Sequence, residues 1–321
     1  MRSSRPKPTA AGASRRTTSG PRQKRRGQPS RRAAANIAVA RRITALRKTT
    51  RAWHQDGESI ALVPTMGALH EGHLRLVKLA ARKGQRVIVS IFVNPTQFAP
   101  HEDLDRYPRD EAADLAQLAQ LGVDLVWAPA PDEVYPTGFA TEIVPAGAAL
   151  GLESDARPHF FRGVATICCK LFTQVQPDVA VFGEKDYQQL QVIKQLVRDL
   201  DLPLKIIGAP TVREKDGLAL SSRNKYLSRD ERLVAPLLHS QIKLVASKIA
   251  DGARVSSATA AAKKTLTRAG FKVDYLELRD AVTLAPVGRS RQAESGRPAK
   301  LRLLAAAWLG KTRLIDNCAV K

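Results

Sequence analysis

Cysteine is scarce in this 321-residue chain, which has only Cys168, Cys169 and Cys318. That excludes a disulfide-stapled scaffold and points to a reducing, cytoplasmic setting. Long apolar runs are missing as well: none approaches the roughly 20 residues that a membrane-crossing helix needs, so no membrane contact is expected. Aromatic residues make up 5% of the chain and do not interleave with its basic stretches, so the stacking platforms of single-strand nucleic-acid binders are unsupported. Neither Gly-x-x-x-x-Gly-Lys-Ser/Thr nor Gly-x-Gly-x-x-Gly occurs, and the commoner phosphate and dinucleotide cradles are thereby excluded. Acidic residues are absent from the first 55 positions, which carry 16 of the 52 Lys and Arg. The net charge of +22 therefore falls to +6 over the remaining 266 residues, a surplus that suits an enzyme of phosphates as well as a nucleic-acid binder.

Residues 1–35 mix Arg, Ser, Thr, Pro, Gly and Ala without periodicity, and apart from Met1 they hold no apolar side chain larger than Ala. Burial cannot offset their ordering entropy, so a disordered basic tail is expected. Lacking an apolar core, the tail is no secretory signal. Three readings stay open for it: a dispensable extension or a start placed too early, an arm that attracts nucleic acid, and an Arg- and Ser-rich transit peptide.

The rest of the chain, in a sequence 44% hydrophobic and 26% charged overall, suits a soluble globular protein. From residue 60 onward, short apolar runs alternate with helical spacing. Ile60 to Val63 ends at Pro64, and Val87 to Val93 closes on Asn94-Pro95; Leu125 to Ala128, Val179 to Phe182 and Leu204 to Ile207 repeat the theme. Between them Leu74, Val77 and Ala81, then Leu115, Leu118 and Leu121, then Val164, Ile167, Leu171 and Val175, then Leu190, Ile193 and Val197 recur at three- or four-residue steps. Such alternation predicts an α/β fold with a parallel sheet over 36–211, whose ligands bind at the carboxyl ends of the strands, in the loops after Val63, Val93 and Phe182. Over 212–321 the pattern changes to helical stretches at 229–250 and 257–269, then strands at Lys272 to Leu278, Leu301 to Trp308 and Arg313 to Ile315, with a Gly-, Ser- and Arg-rich loop at 287–299. A second, smaller α+β domain is expected there.

Four segments carry chemistry. Pro64 to His73 leads from a strand into a helix; Gly67 and Gly72 let backbone approach a ligand, and the new helix favours an anion. His70 and His73, three apart, share a face and can donate to phosphate oxygens. Ser90 to Phe98 delivers the amides of Asn94 and Gln97 at a strand end, suited to hydroxyl, carbonyl or carboxylate groups. Shortly after, Asp103, Asp105, Tyr107 and Arg109 sit in a polar loop read as solvated. Val181 to Gln189 is again strand, Gly turn and helix start, with Lys185 a point charge for phosphate, Asp186 able to cap the helix or hold ribose or metal-bound water, and Gln189 one turn on. Finally, the Ser221, Ser222 and Arg223 side chains are a compact donor set for a polyphosphate and its departing fragment. Cys168 and Cys169 fall inside a helix of apolar period and read as core residues without a role.

Taken in order, these four segments, together with Tyr275 to Asp280 and Thr312 to Asn317, closely resemble the pantothenate synthetases, the pantoate and β-alanine ligases of the nucleotidyltransferase superfamily, over residues 37–317. The resemblance implies a Rossmann-like nucleotidyltransferase domain. It further implies a ligase that joins (R)-pantoate to β-alanine with ATP, through pantoyl adenylate, releasing pyrophosphate and AMP. Mg²⁺ is implied by the ATP chemistry without an assignable ligand set, and a homodimer is implied by the family. Met66, Gly67, Ala68, Leu69, His70, Glu71, Gly72 and His73 would form the nucleotide loop, with His73 in the position of the catalytic acid and His70 beside it on phosphate. Gly183, Glu184, Lys185 and Asp186 would bind ATP; Val212 would meet adenine through its backbone; Leu220, Ser221, Ser222 and Arg223 would close over the triphosphate. His73, His70, Lys185 and Arg223 would thus form the catalytic set, while Gln97 and Gln189 clasp pantoate, with Gln97 also near β-alanine and Asn94 supporting that pocket.

Two departures stand out. Leu220 occupies a position often taken by Met before Ser-Ser-Arg-Asn, a volume-conserving change. His159-Phe160-Phe161-Arg162-Gly163 replaces the common Gly-His-Phe-Arg-Gly, so the histidine is displaced by one position. A nucleotidyltransferase that stops at nucleotide transfer would share the histidine loop but is not expected to carry the Asn94-Gln97 and Gln188-Gln189 segments.

Overall fold

The computed structural model describes Met1, residues 37–99, Glu102, residues 104–287 and residues 300–321. The expected tail over 2–35, Asp103 and the expected loop over 288–299 lie outside the described residues. Six strands pair side by side: β1 (Val39–Ala40), β2 (Ile60–Thr65), β3 (Arg86–Ile91), β4 (Leu125–Trp127), β5 (Val179–Gly183) and β6 (Lys205–Ala209). All their ladders are parallel, in the order β1-β4-β3-β2-β5-β6. The continuous apolar runs follow from burial on both faces. Ile60, Leu62 and Ile88 pack with the helices Ile43–Gln55, Phe160–Val175 and Tyr187–Asp199, whereas Ala61, Val63, Val87 and Val89 pack with Glu71–Ala80 and Glu111–Gln120.

Connections leave β2 in one direction through β3 to β4, and continue on its other side through β5 to β6. This reversal is where an open α/β sheet binds its ligand. β2 shares six rungs with β3 but only two with β5, Ala61 with Val179 and Leu62 with Ala180. The expected end of β2 at Val63 is corrected, because the strand runs through Pro64 to Thr65. Thr65 O accepts from Phe92 N on the β3 side, whereas Ile60 faces Asp178 on the β5 side. By alternation the missing N–H of Pro64 points toward β5, beyond its last rung, where no ladder bond is lost.

The second sheet is antiparallel, with β7 (Phe271–Asp280), β8 (Leu301–Leu309) and β9 (Thr312–Val320) in that order. It is covered by the helices Leu237–Ala250 and Val255–Arg268. All parallel strands lie before residue 211 and all antiparallel ones after 212, while residues 36–321 form one compact unit. Three further differences from expectation have simple causes. Pro236 divides the helical stretch at 229–250 into Arg229–Val234 and Leu237–Ala250. β9 extends to Val320 because its whole length pairs with β8. β1 and the Arg-rich helix Ile43–Gln55 escape the pattern because only Leu46 and Thr50 of that helix are buried.

One close approach ties this framework to the crevice. A Cβ added at Gly163 would sit 2.5 Å from Thr96 O and 2.8 Å from Gln97 N, so only glycine lets the helix Phe160–Val175 touch the turn that carries Gln97. Both neighbours are backbone and cannot rotate away. Gly163→Ala should destabilise the protein by about 1–3 kcal/mol, an overpacking cost read from denaturant midpoints; an unchanged midpoint would show that the helix and turn move apart freely.

Candidate active site

A cavity of about 810 Å³ opens at the carboxyl ends of β2, β3, β5 and β6. It is walled by Pro64 and Met66 at the end of β2, Asn94 and Gln97 after β3, Gly183 and Lys185 at the end of β5, and Val212 after β6. The smaller sheet closes the far side with residues of β8 and β9, among them Arg313 and Asn317.

His70 and His73 begin the helix Glu71–Ala80 in an unexpected way. Spacing alone places them on one helical face. In the structure His70 is the N-cap: its Nδ1 accepts from Gly72 N at 3.1 Å, and His73 Nδ1 accepts from His70 N at 3.3 Å. The two imidazoles form a reciprocal capping box, a task more often done by hydroxyl and carboxylate groups. Their rings stack at 4.0 Å between centroids, 29° from parallel. Both Nδ1 atoms being acceptors, each neutral ring carries its proton on Nε2. Burial, then His70 and Lys185, pushes the pKa of His73 down to about 3, and burial followed by Lys185 lowers that of His70. At neutral pH, then, both rings are uncharged donors, and His73 meets a ligand as Nε2–H rather than as an imidazolium.

The turn before them is held from behind. Ala68 N and Leu69 N donate to the two oxygens of Asp114, at 2.9 and 2.8 Å, and Ala68 takes a left-handed backbone at φ 50. Asp114 is 2% exposed, and burial raises its pKa against the pull of those two hydrogen bonds. Gly67, Ala68 and Leu69 do not wall the cavity, and Glu71 faces outward to Arg75 and Lys78. Of the expected nucleotide loop, the structure brings Met66, His70, Gly72 and His73 to the cavity. Asp114 was missed by sequence reasoning, because an Asp in the first turn of a helix reads as ordinary dipole complement.

In the turn after β3 Asn94 is 2% exposed and hydrogen-bonded through both amide atoms. Its Nδ2 donates to Gln97 Oε1 at 3.1 Å and to Gly163 O at 3.2 Å, and its Oδ1 accepts from Tyr135 OH at 2.7 Å. Gln97 Nε2 reaches Met66 Sδ at 3.0 Å. Gln188 and Gln189 divide their tasks. Gln188 is buried and pins the carbonyls of Ala148 and Gly151, both at 3.1 Å, whereas Gln189 borders the cavity, its amide without a partner among the described residues. In the polar loop Asp105 and Arg109 are exposed, whereas Tyr107 is buried, with Arg223 over its ring at 5.8 Å. At the displaced histidine, Phe160 lines the cavity beneath the Arg157 guanidinium at 4.0 Å, whereas His159 Nε2 is buried without a partner among the described residues. Cys168 is buried and its thiol is pushed up to about 12 by burial, so it offers no thiolate.

Two further expected nucleotide segments reach the cavity. Lys185 Nζ lies 3.9 Å from Asp186 and borders the cavity; Glu184 does not, its carboxylate being bound to Arg302 at 3.2 Å. Leu220, Ser221, Ser222 and Arg223 follow a hairpin closed by the Arg213–Ala219 bridge and by Leu220 N donating to Val212 O at 3.0 Å. That hairpin is anchored to β9 by Arg213, which grips Asp316 at 2.6 and 2.8 Å. The arrangement can bind a polyanion between uncharged imidazole donors and two cations, beside a pocket lined by amides and apolar side chains.

A family model for pantoate-beta-alanine ligase matches residues 38–319. Pantothenate synthetase of Bradyrhizobium sp. (strain BTAi1) is 56% identical over 283 residues, covering 88% of this chain and 98% of that protein. That of Caulobacter vibrioides is 54% identical with the same coverage. Among solved structures, a pantothenate synthetase from Thermus thermophilus superposes with a TM-score of 0.80 at 43% identity, covering 88% of this chain and 99% of its own. A pantoate-beta-alanine ligase from Francisella tularensis, complexed with beta-gamma ATP and beta-alanine, does so with a TM-score of 0.72 at 34% identity, covering 88% and 97%.

Two outcomes follow from the histidine cap. A Cβ at Gly72 would lie 2.7 Å from His70 Cε1, so Gly72→Ala should displace that ring and lower turnover about 100-fold or more while the melting temperature holds; retained turnover would show that the cap is dispensable. Between the ordinary imidazole value of 6.5 and about 3, the unfolded chain binds a proton at His73 that the folded chain does not. This contribution to stability is present above 6.5 and is lost as the pH falls toward 3. Unfolding at about pH 7 and pH 5 should therefore show a smaller acid loss in His73→Gln than in the parent.

Proposed function

The chain belongs to the pantoate-beta-alanine ligase family, and we propose that the crevice between β2 and β5 is where it condenses (R)-pantoate with β-alanine at the expense of ATP. The reaction has two displacements. A pantoate carboxylate oxygen attacks the α-phosphorus and pyrophosphate leaves; the β-alanine amine then attacks the acyl carbon, AMP leaves and the amine loses a proton. The barrier to the first step lies in bringing two anions together. The observation that carries this reading is that two Nε2–H donors and the Lys185 ammonium line the same cavity as the amides of Gln97 and Gln189. Fixed donors aimed at developing charge are worth about 3–4 kcal/mol each in such sites.

In this reading His70, His73, Lys185 and Arg223 form the catalytic set on the phosphates. Ser221 and Ser222 add hydroxyls, and the segment from Leu220 to Arg223 covers the triphosphate. Val212 O already accepts from Leu220, which leaves Val212 N–H for adenine. Met66, Gly72, Gly183 and Asp186 border the nucleotide, while Gly67, Ala68, Leu69, Glu71 and Glu184 shape its loops from outside the cavity. Gln97 and Gln189 take pantoate, with Asn94 holding Gln97. The ligands named for the Francisella protein occupy the same reading here, ATP toward the histidines and β-alanine toward Gln97. Residues 36–211 would then form the nucleotide- and pantoate-binding domain and 212–321 the smaller one that covers it.

No group of three carboxylate, thiol or imidazole side chains able to hold a metal ion stands among the described residues. That fits a magnesium ion carried chiefly on nucleotide phosphate oxygens, with Asp186 the carboxylate at hand beside Lys185. When bound, it would neutralise phosphate charge. Among the described residues no helix is long and apolar enough to cross a membrane. A homodimer is the assembly that the family resemblance supports, and the scarcity of cysteine supports a cytoplasmic setting.

Pyrophosphate should form from ATP, Mg²⁺ and pantoate alone, and AMP release should require β-alanine as well. In that assay Gln97→Ala and Gln189→Ala should raise the KM for pantoate more than that for ATP. Equal rises would remove the two amides from the pantoate site.

A further inference from the structure

Asn317 lies on β9, outside every loop given a substrate above, and is 3% exposed. Its Nδ2 donates to Glu184 O and Lys185 O, both at 2.9 Å, and its Oδ1 accepts from Arg302 Nε at 2.8 Å and from Arg302 Nη2 at 2.6 Å. A guanidinium only donates and a carbonyl only accepts, so the amide fits in one orientation with its full capacity used. Arg302 is itself fixed, 3.8 Å from the Tyr187 ring and 3.2 Å from the Glu184 carboxylate. The single turn Glu184–Asp186 is thus gripped by its backbone through Asn317 and by its flanking side chains through Arg302. The Lys185 side chain leaves that turn for the cavity.

We infer that Asn317 is a positioning residue that sets where the Lys185 ammonium meets the triphosphate. This rests on the reading that Lys185 binds ATP phosphates. A displacement near 1 Å is enough to cost about 100-fold in rate, and both carbonyls receive their side-chain donor from the smaller sheet. The adjacent Asp316 anchors the Arg213 hairpin, so one strand of the smaller sheet ties down both phosphate-facing segments.

The test is a double-mutant cycle between Asn317→Asp and Lys185→Ala, reading affinity for the β,γ-imido analogue of ATP and for pantoate by titration calorimetry. Asn317→Asp keeps the size and the Arg302 contact but sets an acceptor against both carbonyls. Expected is a loss of about tenfold or more in nucleotide affinity in the parent and about twofold or less in the Lys185→Ala background, with pantoate affinity unchanged. Equal losses in both backgrounds, an equal loss for pantoate, or no loss would overturn the inference. If Asn317→Asp unfolds, Asn317→Ser, which keeps one donor, goes through the same cycle with the same criteria. The parent's own pyrophosphate release from ATP and pantoate is recorded alongside: its absence sinks the functional reading, whereas its presence with an additive cycle sinks only the role of Asn317.

Discussion

β2 and β5 are neighbours for two residues and then stop sharing hydrogen bonds, although β2 continues along β3 and β5 along β6. Every other feature of the site depends on that short ladder. It lies at the reversal of strand order, where the connecting helices leave on opposite sides of the sheet and cannot fill the gap. The loops after β2 and β5 therefore face each other across an open crevice, one bringing two imidazoles and the other a lysine. Pro64 stands just past the last rung, so the place where pairing ends is written into the chain as a residue that cannot pair.

Within the crevice, burial and charge act together. Burial of His73, with His70 and Lys185 nearby, makes a charged ring costly there. Permanent positive charge is left to Lys185 and Arg223, and the histidines contribute oriented N–H groups. The turn after β3 adds the neutral amide of Gln97, held by Asn94. Around it runs a network of ion pairs, Arg157 with Glu102 and Arg313 with Glu153 and Asp274, with Tyr275 donating to Glu153 at 2.7 Å. It sets two guanidiniums against three carboxylates, and Arg313 Nη2 is left buried without a partner among the described residues.

Much of this was legible in the sequence. Apolar runs ending in Pro64, Asn94-Pro95 and Gly183 located three walls of the crevice, since strands buried on both faces read as continuous hydrophobic segments. Residues that act across long separations were not legible. Asp114 holds Ala68 and Leu69 from 46 and 45 positions away, and Asn317 holds Lys185 from 132; neither carries a local pattern that sets it apart. The histidine cap was half legible, because a three-residue spacing announces proximity but not that each ring would turn its Nδ1 onto a backbone N–H of the same turn. The Arg-rich helix at 43–55 was hidden by composition, its few buried side chains being too sparse for a periodic signal.

That cap has a consequence for chemistry in a crowded cell. Paired imidazoles near an opening are common traps for copper, nickel and other borderline-soft cations, which bind through a free nitrogen lone pair. Here both such lone pairs point inward to peptide hydrogens, and the outward nitrogens are protonated. A stray transition metal would have to unwind the first turn of the helix before finding a ligand on either ring, so the bonds that cap the helix also guard the mouth of the crevice.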